Sequence, residues 1–567
     1  MPYRAPVQDI RFILDHIVGF AEVAATARFA AATPDLAQAI LTEAGRLATD
    51  VLAPLNRVGD ANPARLENGA VVTAPGFAEA YRQLAEGGWV GMAADPEFGG
   101  MGLPFSLALA VDDMMSGACI SLQLKPLLSK GQIEALEHHA SDEIKALYLP
   151  KLISGEWSGT MNLTEPHAGT DVGALRSKAV PKDDGTYAVS GQKIFITWGD
   201  SDLVANVCHL VLARLPDGGE GTKGISLFMV PKFIPDAEGK LGARNSLRVV
   251  SLEHKLGIHG SPTCVMQFDG ATGWLVGEPH RGMAAMFTMM NNARLSVAAQ
   301  GVGVAEAALQ HALAYAQDRR QGATPLSKTG PIFEHADVRR MLAEMRAQIF
   351  AARSICLSCA VALDMAKATG DAEWQARAAL LTPIAKAYST DIGCEVASTG
   401  VQVHGGMGFI EETGAAQFLR DARILPIYEG TNGIQAMDLV GRKLSDGGEA
   451  AFRLIDEVQA GAEVARASLR DVAGEVWRAA EALREATEAL LALPLNDRFA
   501  GAAAYLRGFA LVLGGQAHLK AALADVGRLP LARVMIRRLL PEHAALLRAA
   551  RDGAEGLYAV SVEALAG

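Results

Sequence analysis

Cysteine is scarce in this chain, and the few cysteines present are scattered. The 567 residues include six of them, whereas small disulfide-stabilised domains carry cysteine densely. Cys356 and Cys359 have the C-x-x-C spacing, but they lie in an Ala-rich helical stretch and no second pair completes a zinc site. We therefore expect reduced thiols in a cytoplasmic protein, and no bound metal.

Basic residues are also fewer than acidic ones. The chain has 52 Lys and Arg against 63 Asp and Glu, which gives a formal net charge of −11. Nucleic acids and anionic membranes attract strongly basic surfaces, so we expect neither as the main partner. A local group of arginines near the C-terminus is most simply a solvated helix face. This group comprises Arg533, Arg537, Arg538, Arg548 and Arg551.

Long uninterrupted apolar runs are missing as well. The longest apolar stretches are broken by Arg, Glu or Gly, so none has the pattern of a membrane span. The opening run Met1-Pro2-Tyr3-Arg4-Ala5-Pro6 has no apolar segment ahead of a small-residue cleavage site. We expect no membrane span and a cytoplasmic location.

Hydrophobic residues nevertheless make up half of the chain, enough for several cores. Helical periodicity covers residues 9–149 and returns from Met283 through Leu444, whereas residues 186–191, 203–212, 225–231 and 263–268 are strand-like. Ser445-Asp446-Gly447-Gly448-Glu449 is the clearest linker. We predict a mainly helical α+β protein with a helical domain at 1–158, a β domain at 159–280, a helical bundle at 281–445 and a helical extension at 446–567.

The run Pro426-Ile427-Tyr428-Glu429-Gly430-Thr431-Asn432-Gly433-Ile434-Gln435 places one acid in apolar company. A partly desolvated carboxylate has a raised pKa and is a stronger base once ionised. A glutamate beside a glycine is more commonly a solvated turn or cap residue, however. From the residues alone, both interpretations of Glu429 stay open.

Two further runs are rich in hydroxyl, small and aromatic side chains. Met161-Asn162-Leu163-Thr164-Glu165-Pro166-His167-Ala168-Gly169-Thr170-Asp171-Val172 offers backbone N–H groups and threonine hydroxyls to a planar polar ligand. Lys193-Ile194-Phe195-Ile196-Thr197-Trp198-Gly199 adds an aromatic strand. Each run is weak alone, because Thr-Glu-Pro often starts a helix and a strand aromatic is usually a core residue.

Together these runs resemble the acyl-CoA dehydrogenase family. The resemblance also includes 88–89 with 96–103, 256–263, Arg294 with the helix up to Arg320, and 402–409. It implies an N-terminal helical domain, a small β-barrel and a four-helix bundle. It further implies bound FAD and α,β-dehydrogenation of an acyl-CoA thioester, in which a base removes the α-proton and the β-hydrogen leaves as hydride to flavin N5.

The same resemblance assigns roles residue by residue. Glu429 matches the catalytic base, whose backbone N–H would also hold the thioester carbonyl, and Gly430 and Arg294 match substrate-side positions. Some members carry the base immediately before this arginine, where the present chain has Ala293. The flavin positions are Leu163, Thr164, Gly169, Thr170, Phe195 and Thr197, of which Phe195 stands where tryptophan is often found.

The dinucleotide positions imply an oligomer. Arg319 matches an arginine that pairs with the FAD pyrophosphate of a neighbouring subunit, and Gln402 and Gly406 match the adenine-dinucleotide side. Thr431 also matches a dinucleotide contact. Gly433 replaces a glutamine found in some relatives. A homodimer, or a dimer of dimers, and an electron-transfer flavoprotein as acceptor are therefore the implied partners.

The extension after residue 449 resembles a long bacterial subgroup of the family. That likeness implies 3-methylmercaptopropionyl-CoA as the favoured substrate, in dimethylsulfoniopropionate demethylation. The alternatives are a medium- or long-chain fatty acyl-CoA dehydrogenase, an acyl-CoA oxidase, and a DNA-binding protein of the same fold that would use the C-terminal arginines.

Overall fold

The computed structural model describes residues 3–567. Met1 and Pro2, the start of the run inspected for a targeting signal, lie outside the described residues. The chain divides into two compact units. Within the described range, one unit consists of residues 3–45, 105–117 and 294–567, and the other of residues 46–104 and 118–293.

Helices dominate both ends of the chain. Those before the strands are α1 Val7–His16, α2 Phe20–Ala24, α3 Pro34–Leu47, α4 Leu55–Ala61, α5 Phe77–Glu86, α6 Phe105–His139 and α7 Asp142–Ile153. The three long helices after the strands are α8 Gly282–Asp318, α9 Ala336–Thr369 and α10 Ala372–His404. The shorter α11 Ala415–Ala422 and α12 Asn432–Asp438 follow, and the extension consists of α13 Glu449–Ala465, α14 Arg470–Ala492, α15 Leu495–Ala524, α16 Leu529–Val534, α17 Glu542–Ala549, α18 Glu555–Tyr558 and α19 Val562–Ala566.

The strands form one closed barrel and two separate pairs. They are β1 Arg65–Glu67, β2 Ala70–Val72, β3 Trp157–Asn162, β4 Lys178–Pro181, β5 Tyr187–Thr197, β6 Asn206–Arg214, β7 Ile225–Pro231, β8 Phe233–Pro235, β9 Leu241–Arg244, β10 Leu247–Leu252 and β11 Thr263–Val276. The pairs outside the barrel are β1 with β2 and β8 with β9. Pairing runs β11–β5–β4–β6–β7 and back to β11, with β3 added beside β6 and β10 beside β11. Closure removes the exposed sheet edges that invite unwanted pairing.

The barrel interior is apolar because alternate residues of each strand point inward. Val189 and Ile196 of β5, Val211 of β6 and Phe228 of β7 are all buried there, together with Phe268 of β11. Every residue of β7 is buried, which explains why the sequence 225–231 is apolar except for Ser226 and shows no alternation. The predicted order of helical, β-barrel and helical segments is confirmed.

Two local features differ from the sequence-based expectation. The first helical segment contains a two-stranded hairpin, in which β1 pairs with β2 across Asn68 and Gly69. Both turn residues have positive φ, 51° and 78°, as a two-residue hairpin turn demands. The predicted strand 186–191 and the predicted aromatic strand 193–199 are also joined into one continuous strand, β5. The bounds of the four predicted domains stay predictions.

Two helices are long and apolar enough to cross a membrane by length and composition, Phe105–His139 and Ala336–Thr369. The most apolar 18-residue windows of these helices are 94% and 78% buried within the fold, respectively. Core helices of folded proteins pass the same composition test, so this finding is weak support for a span.

Candidate active site

The predicted base, Glu429, lies in a strained turn that precedes α12. Its backbone φ is 56°, and Gly430 follows with a φ of 85°. A non-glycine residue adopts this left-handed conformation only when the surroundings impose it, and such strain clusters at functional sites. Thr431 then caps α12 by accepting a hydrogen bond from the Ile434 N–H at 3.4 Å, so the turn is fixed at its C-terminal end.

Hydrogen bonds to both carbonyls of the turn hold its shape. The Gln435 side-chain amide donates to the carbonyl oxygens of Glu429 and Gly430, at 3.2 and 3.3 Å. A Cβ on Gly430 would lie 2.8 Å from that amide nitrogen, so glycine is required by space as well as by φ. Meanwhile the Glu429 N–H has no protein acceptor among residues 3–567.

Glu429 is half-buried, and its carboxylate makes no hydrogen bond or ion pair with the described part of the chain. Burial raises its pKa to about 7, and the nearby positive charges of Arg294 and Lys386 oppose that rise. Desolvation therefore outweighs two cations here. A carboxylate with a pKa near neutrality is suited to proton abstraction, because it is ionised at working pH and still basic.

Arg294 is buried, with 5% of its surface exposed. Its guanidinium lies 3.7 Å from the Asp438 carboxylate. Burial chiefly lowers the pKa of Arg294, against the charges of Asp438 and Glu429. Arg294 therefore has an ion-pair partner in Asp438 and also lies close enough to Glu429 for the two charges to interact.

Lys386 is the most prominent residue of this region that sequence reasoning missed. It lies on α10 with no exposed surface, and its ammonium donates to the Gly430 carbonyl oxygen at 3.0 Å and to Asn432 Oδ1 at 2.9 Å. Burial lowers the pKa of Lys386 to about 8. A lysine within a helix carries no motif that would mark it, so only the fold identifies it.

The predicted flavin positions lie in the other unit, around the end of β5. Between β5 and β11 the register shifts so that Ile194 and Phe195 together stand opposite Val265. This β-bulge turns Phe195 to a φ of 60° and leaves its ring 59% exposed. Bulges commonly re-aim a side chain next to a functional site.

A buried ion pair supports the loop that carries Leu163 and Thr164. Lys193, with no exposed surface, donates to Glu165 Oε1 at 2.8 Å and to the Leu163 carbonyl oxygen at 3.0 Å. Glu165 also accepts from the N–H groups of residues 176 and 177. The Thr164 carbonyl oxygen accepts the Ile194 N–H, so the loop and the bulge are joined directly.

The remaining flavin positions are open. Gly169 and Thr170 are exposed, and Thr197 is half-buried. A Cβ on Gly169 would meet no atom within 4 Å. The structure thus gathers Leu163, Thr164, Phe195 and Thr197 around one bulge and places Gly169 and Thr170 further along the same loop.

The predicted dinucleotide positions are exposed in the first unit. Arg319 follows α8 and its guanidinium makes one weak contact, 3.3 Å to Gln321 Oε1. Gln402 lies in the last turn of α10, and Gly406 follows it with open space where a Cβ would be. Thr431 is exposed too. An exposed, uncommitted guanidinium is well placed to pair with phosphate.

Other candidate groups have ordinary structural partners. The Cys356 and Cys359 thiols are buried beside the hydroxyls of Ser389 and Thr382, at 3.1 and 3.5 Å. Residues 3–567 contain no cluster of three His, Cys, Asp or Glu side chains that could hold a metal ion. Among the C-terminal arginines, Arg533, Arg537 and Arg538 form ion pairs with carboxylates of this chain, as a solvated helix face would.

Comparison with known families identifies the family of this chain. The chain matches the acyl-CoA dehydrogenase N-terminal domain over residues 35–156, the middle domain over 160–271 and the C-terminal domain over 280–444. The chain belongs to the acyl-CoA dehydrogenase family. It is an FAD-dependent oxidoreductase that acts on acyl-CoA thioesters.

Individual relatives extend the likeness into the C-terminal extension. The 3-methylmercaptopropionyl-CoA dehydrogenase of Ruegeria pomeroyi is 51% identical over 468 residues, 81% of this chain and 79% of that protein. The broad-specificity linear acyl-CoA dehydrogenase FadE5 of Mycobacterium tuberculosis is 36% identical over 81% of this chain and 78% of its own. A Bacillus anthracis acyl-CoA dehydrogenase solved with FAD shares the fold, with a TM-score of 0.73 and 19% identity over 99% of this chain and 93% of that one.

The residues around the β5 bulge fit FAD. The exposed Phe195 ring offers a flat apolar surface of the kind that packs on an isoalloxazine ring. The Thr164, Thr170 and Thr197 hydroxyls donate to no protein group among residues 3–567, so they remain available to the polar edge of that ring. The open space over Gly169 leaves room for close approach of a cofactor to the backbone.

Proposed function

We propose that this protein oxidises a short acyl-CoA to its 2,3-enoyl thioester, with Glu429 as the base that removes the α-proton. The observation that carries this proposal is the isolated Glu429 carboxylate with a pKa of about 7. Ala293 supplies no competing carboxylate at the alternative family position.

Glu429 would contribute to the reaction through both its carboxylate and its backbone N–H. The ionised Glu429 carboxylate takes the proton from the substrate α-carbon, and the Glu429 N–H donates to the thioester carbonyl oxygen as negative charge develops there. Because that N–H is already fixed by the strained turn, little reorganisation is needed. FAD, when bound, supplies the acceptor for the hydride that leaves the β-carbon.

We assign the cofactor contacts to the residues that the sequence indicated. Leu163, Thr164, Phe195 and Thr197 would hold the isoalloxazine ring, and Gly169 and Thr170 would face its phosphate side. Arg319, Gln402 and Gly406 would contact the dinucleotide of a second copy of the chain, and Thr431 would also contact a dinucleotide. This assignment requires a homodimer or a dimer of dimers. We further propose a cytoplasmic location and an electron-transfer flavoprotein as the acceptor.

We propose 3-methylmercaptopropionyl-CoA as the favoured substrate. The high identity to the Ruegeria pomeroyi enzyme supports this choice. The likeness to FadE5, named for broad specificity toward linear acyl-CoAs, supports medium- or long-chain thioesters as the second candidate. Anaerobic titration of the purified holoenzyme with 3-methylmercaptopropionyl-CoA, butyryl-CoA, octanoyl-CoA and palmitoyl-CoA separates the two. Fastest flavin bleaching by a long chain would overturn the first choice.

Replacing the base tests the reaction itself. We expect Glu429→Gln to retain FAD and to bind acyl-CoA, but to lose flavin bleaching by at least roughly a thousandfold, because an amide cannot accept the α-proton. Glu488→Gln, at an exposed position on α14, is the matched control and should bleach at the normal rate. Normal flavin reduction in Glu429→Gln would disprove the base assignment.

Two rival activities have separate tests. An oxidase would form hydrogen peroxide rapidly with acyl-CoA and oxygen alone, whereas the dehydrogenase requires an added acceptor. A DNA-binding protein would retain duplex DNA at low salt, where cationic contacts are strongest. The ion pairs of Arg533 and Arg537 with Asp471 reduce the free positive charge available for such binding.

A further inference from the structure

Lys386 of α10 contacts the turn that carries Glu429. Its side chain is fully buried in α10, and its ammonium donates to the Gly430 carbonyl oxygen at 3.0 Å. The second acceptor is Asn432 Oδ1 at 2.9 Å. One ammonium group therefore spans Thr431 and binds both of its neighbours, immediately after the strained Glu429 backbone.

Asn432 anchors this arrangement to α10. Its side-chain amide donates to Asp391 Oδ1 at 2.7 Å and to the Ala387 carbonyl oxygen at 3.1 Å. Lys386 and Asp391 are thus joined through Asn432, five residues apart on one helix. The left-handed turn is attached to a long, rigid helix at several points, which is how strained backbone is maintained.

The Lys386 ammonium forms no ion pair with a carboxylate of the described residues. No Asp or Glu among residues 3–567 lies within ion-pair distance of its ammonium. Arg294, the other cation near Glu429, has Asp438 as an ion-pair partner. The charged groups that act on Lys386 are Glu429, which faces it from the turn, with Asp391 on its own helix and Arg294 on α8.

We infer that Lys386 is a positioning residue for the proposed reaction, holding the Glu429 turn by hydrogen bonds and favouring the ionised base by its charge. This inference rests on the assignment of Glu429 as the base. A buried carboxylate needs compensation to ionise, and a fixed ammonium supplies it without reacting with substrate. The attraction persists in the shielded site because solvent and salt screen it little.

The test is the pH dependence of flavin reduction in the holoenzyme, measured anaerobically by stopped flow with 3-methylmercaptopropionyl-CoA or butyryl-CoA. In Lys386→Met the midpoint of the rising limb should move up by about one pH unit, so that the rate falls roughly tenfold below the midpoint and much less on the alkaline plateau. Lys386→Gln, whose amide can still donate to both acceptors, should show the same shift.

The control and the contradicting results are distinct. Lys520, a half-buried lysine that donates to the Ile17 carbonyl oxygen, gives the matched variant Lys520→Met, which should keep the normal midpoint. FAD content and circular dichroism establish that each variant is folded. An unchanged midpoint in folded Lys386→Gln would overturn the electrostatic role. Activity in Glu429→Gln would instead overturn the base assignment, so the two failures can be told apart.

Discussion

At the scale of single residues, Glu429 shows a conflict between stability and function. Its backbone is left-handed and its carboxylate is shielded, and both features cost folding free energy. The neighbouring residues reduce this cost through hydrogen bonds to the turn from Gln435 and Lys386. The proposed role as the base gives a reason for an acid with a pKa of about 7 in this turn.

The shifted pKa of Glu429 predicts a pH-dependent change in stability. The folded pKa, about 7, is raised above the ordinary glutamate value of about 4.3. Protonated Glu429 therefore costs little folding free energy at low pH. As pH rises through 7 the carboxylate ionises in the folded protein, and the free energy of unfolding falls. Glu429→Gln should leave stability nearly unchanged near pH 4, and should raise the free energy of unfolding at pH 8 by up to about 3 kcal/mol.

Denaturant unfolding of FAD-loaded protein, compared between wild type and variant across this pH range, measures the effect. Glu488→Gln serves again as the control, since its parent carboxylate is exposed. Equal stability of wild type and Glu429→Gln at pH 8 would contradict a raised pKa.

At the scale of elements, a helix of the extension packs against the segment that follows the Glu429 turn and α12. Phe499 of α15 lies 3.1 Å from the position of a Cβ at Gly441, just after α12. Arg507 of the same helix donates to Glu395 of α10 at 2.5 Å and to Glu542 of α17 at 3.0 Å. Glu395 is one helical turn from Asp391, the acceptor of Asn432. The added helices thus connect to the Glu429 turn through α10.

The Arg507 guanidinium is predicted to influence that connection. Burial raises the pKa of Asp391, Glu395 raises it further, and Arg507 lowers it. In Arg507→Met the Asp391 carboxylate should bind the Asn432 amide more weakly. Flavin reduction should then slow roughly two- to fivefold, which corresponds to the free energy of one partly exposed ion pair.

The matched control is Arg484→Met, because Arg484 of α14 has the same 24% side-chain exposure and pairs with Asp456 inside the extension. Stopped-flow reduction at constant FAD content compares the two. Equal rates in both variants would show that α15 has no influence on the turn.

The same scale shows what the sequence could predict. Strand β7 has the predicted bounds, because an apolar run between turn residues has few alternatives. The β1–β2 hairpin was overlooked although Asn68-Gly69 is a strong turn signal, since its three-residue strands are too short to show alternation. The bulge at Phe195 could not be predicted, because it depends on the pairing with β11 and not on local residues.

At the scale of the whole chain, Arg353 joins segments that are far apart in sequence. Its buried guanidinium donates to Asp113 of α6 at 2.6 Å and to both Asp9 of α1 and Glu306 of α8 at 3.2 Å. Arg528 of the extension also binds Asp9, 519 positions away. No sequence spacing could indicate this cluster, since it exists only after the first compact unit has folded.

Breaking this cluster should destabilise the protein strongly. Removal of one partner leaves uncompensated charge in a dry core, which costs about 3–5 kcal/mol. Asp113 loses both hydrogen bonds from Arg353 in Arg353→Met, whereas Glu306 keeps Arg346 at 2.9 Å. We therefore expect a clear fall in the midpoint of urea unfolding. Arg353→Lys, which retains charge but not the planar fork, should fall between wild type and Arg353→Met.

An exposed arginine provides the contrast. Arg82 makes two ion pairs on the surface of α5, with Glu79 and Glu86. Because solvent screens both pairs, Arg82→Met should leave the urea midpoint of the FAD-loaded protein unchanged. From the number of ion pairs alone, Arg353 and Arg82 would be expected to contribute similarly to stability. Because only Arg353 is buried, we expect its contribution to be much larger. Similar midpoints for Arg353→Met and Arg82→Met would show that the buried cluster does not stabilise the first compact unit.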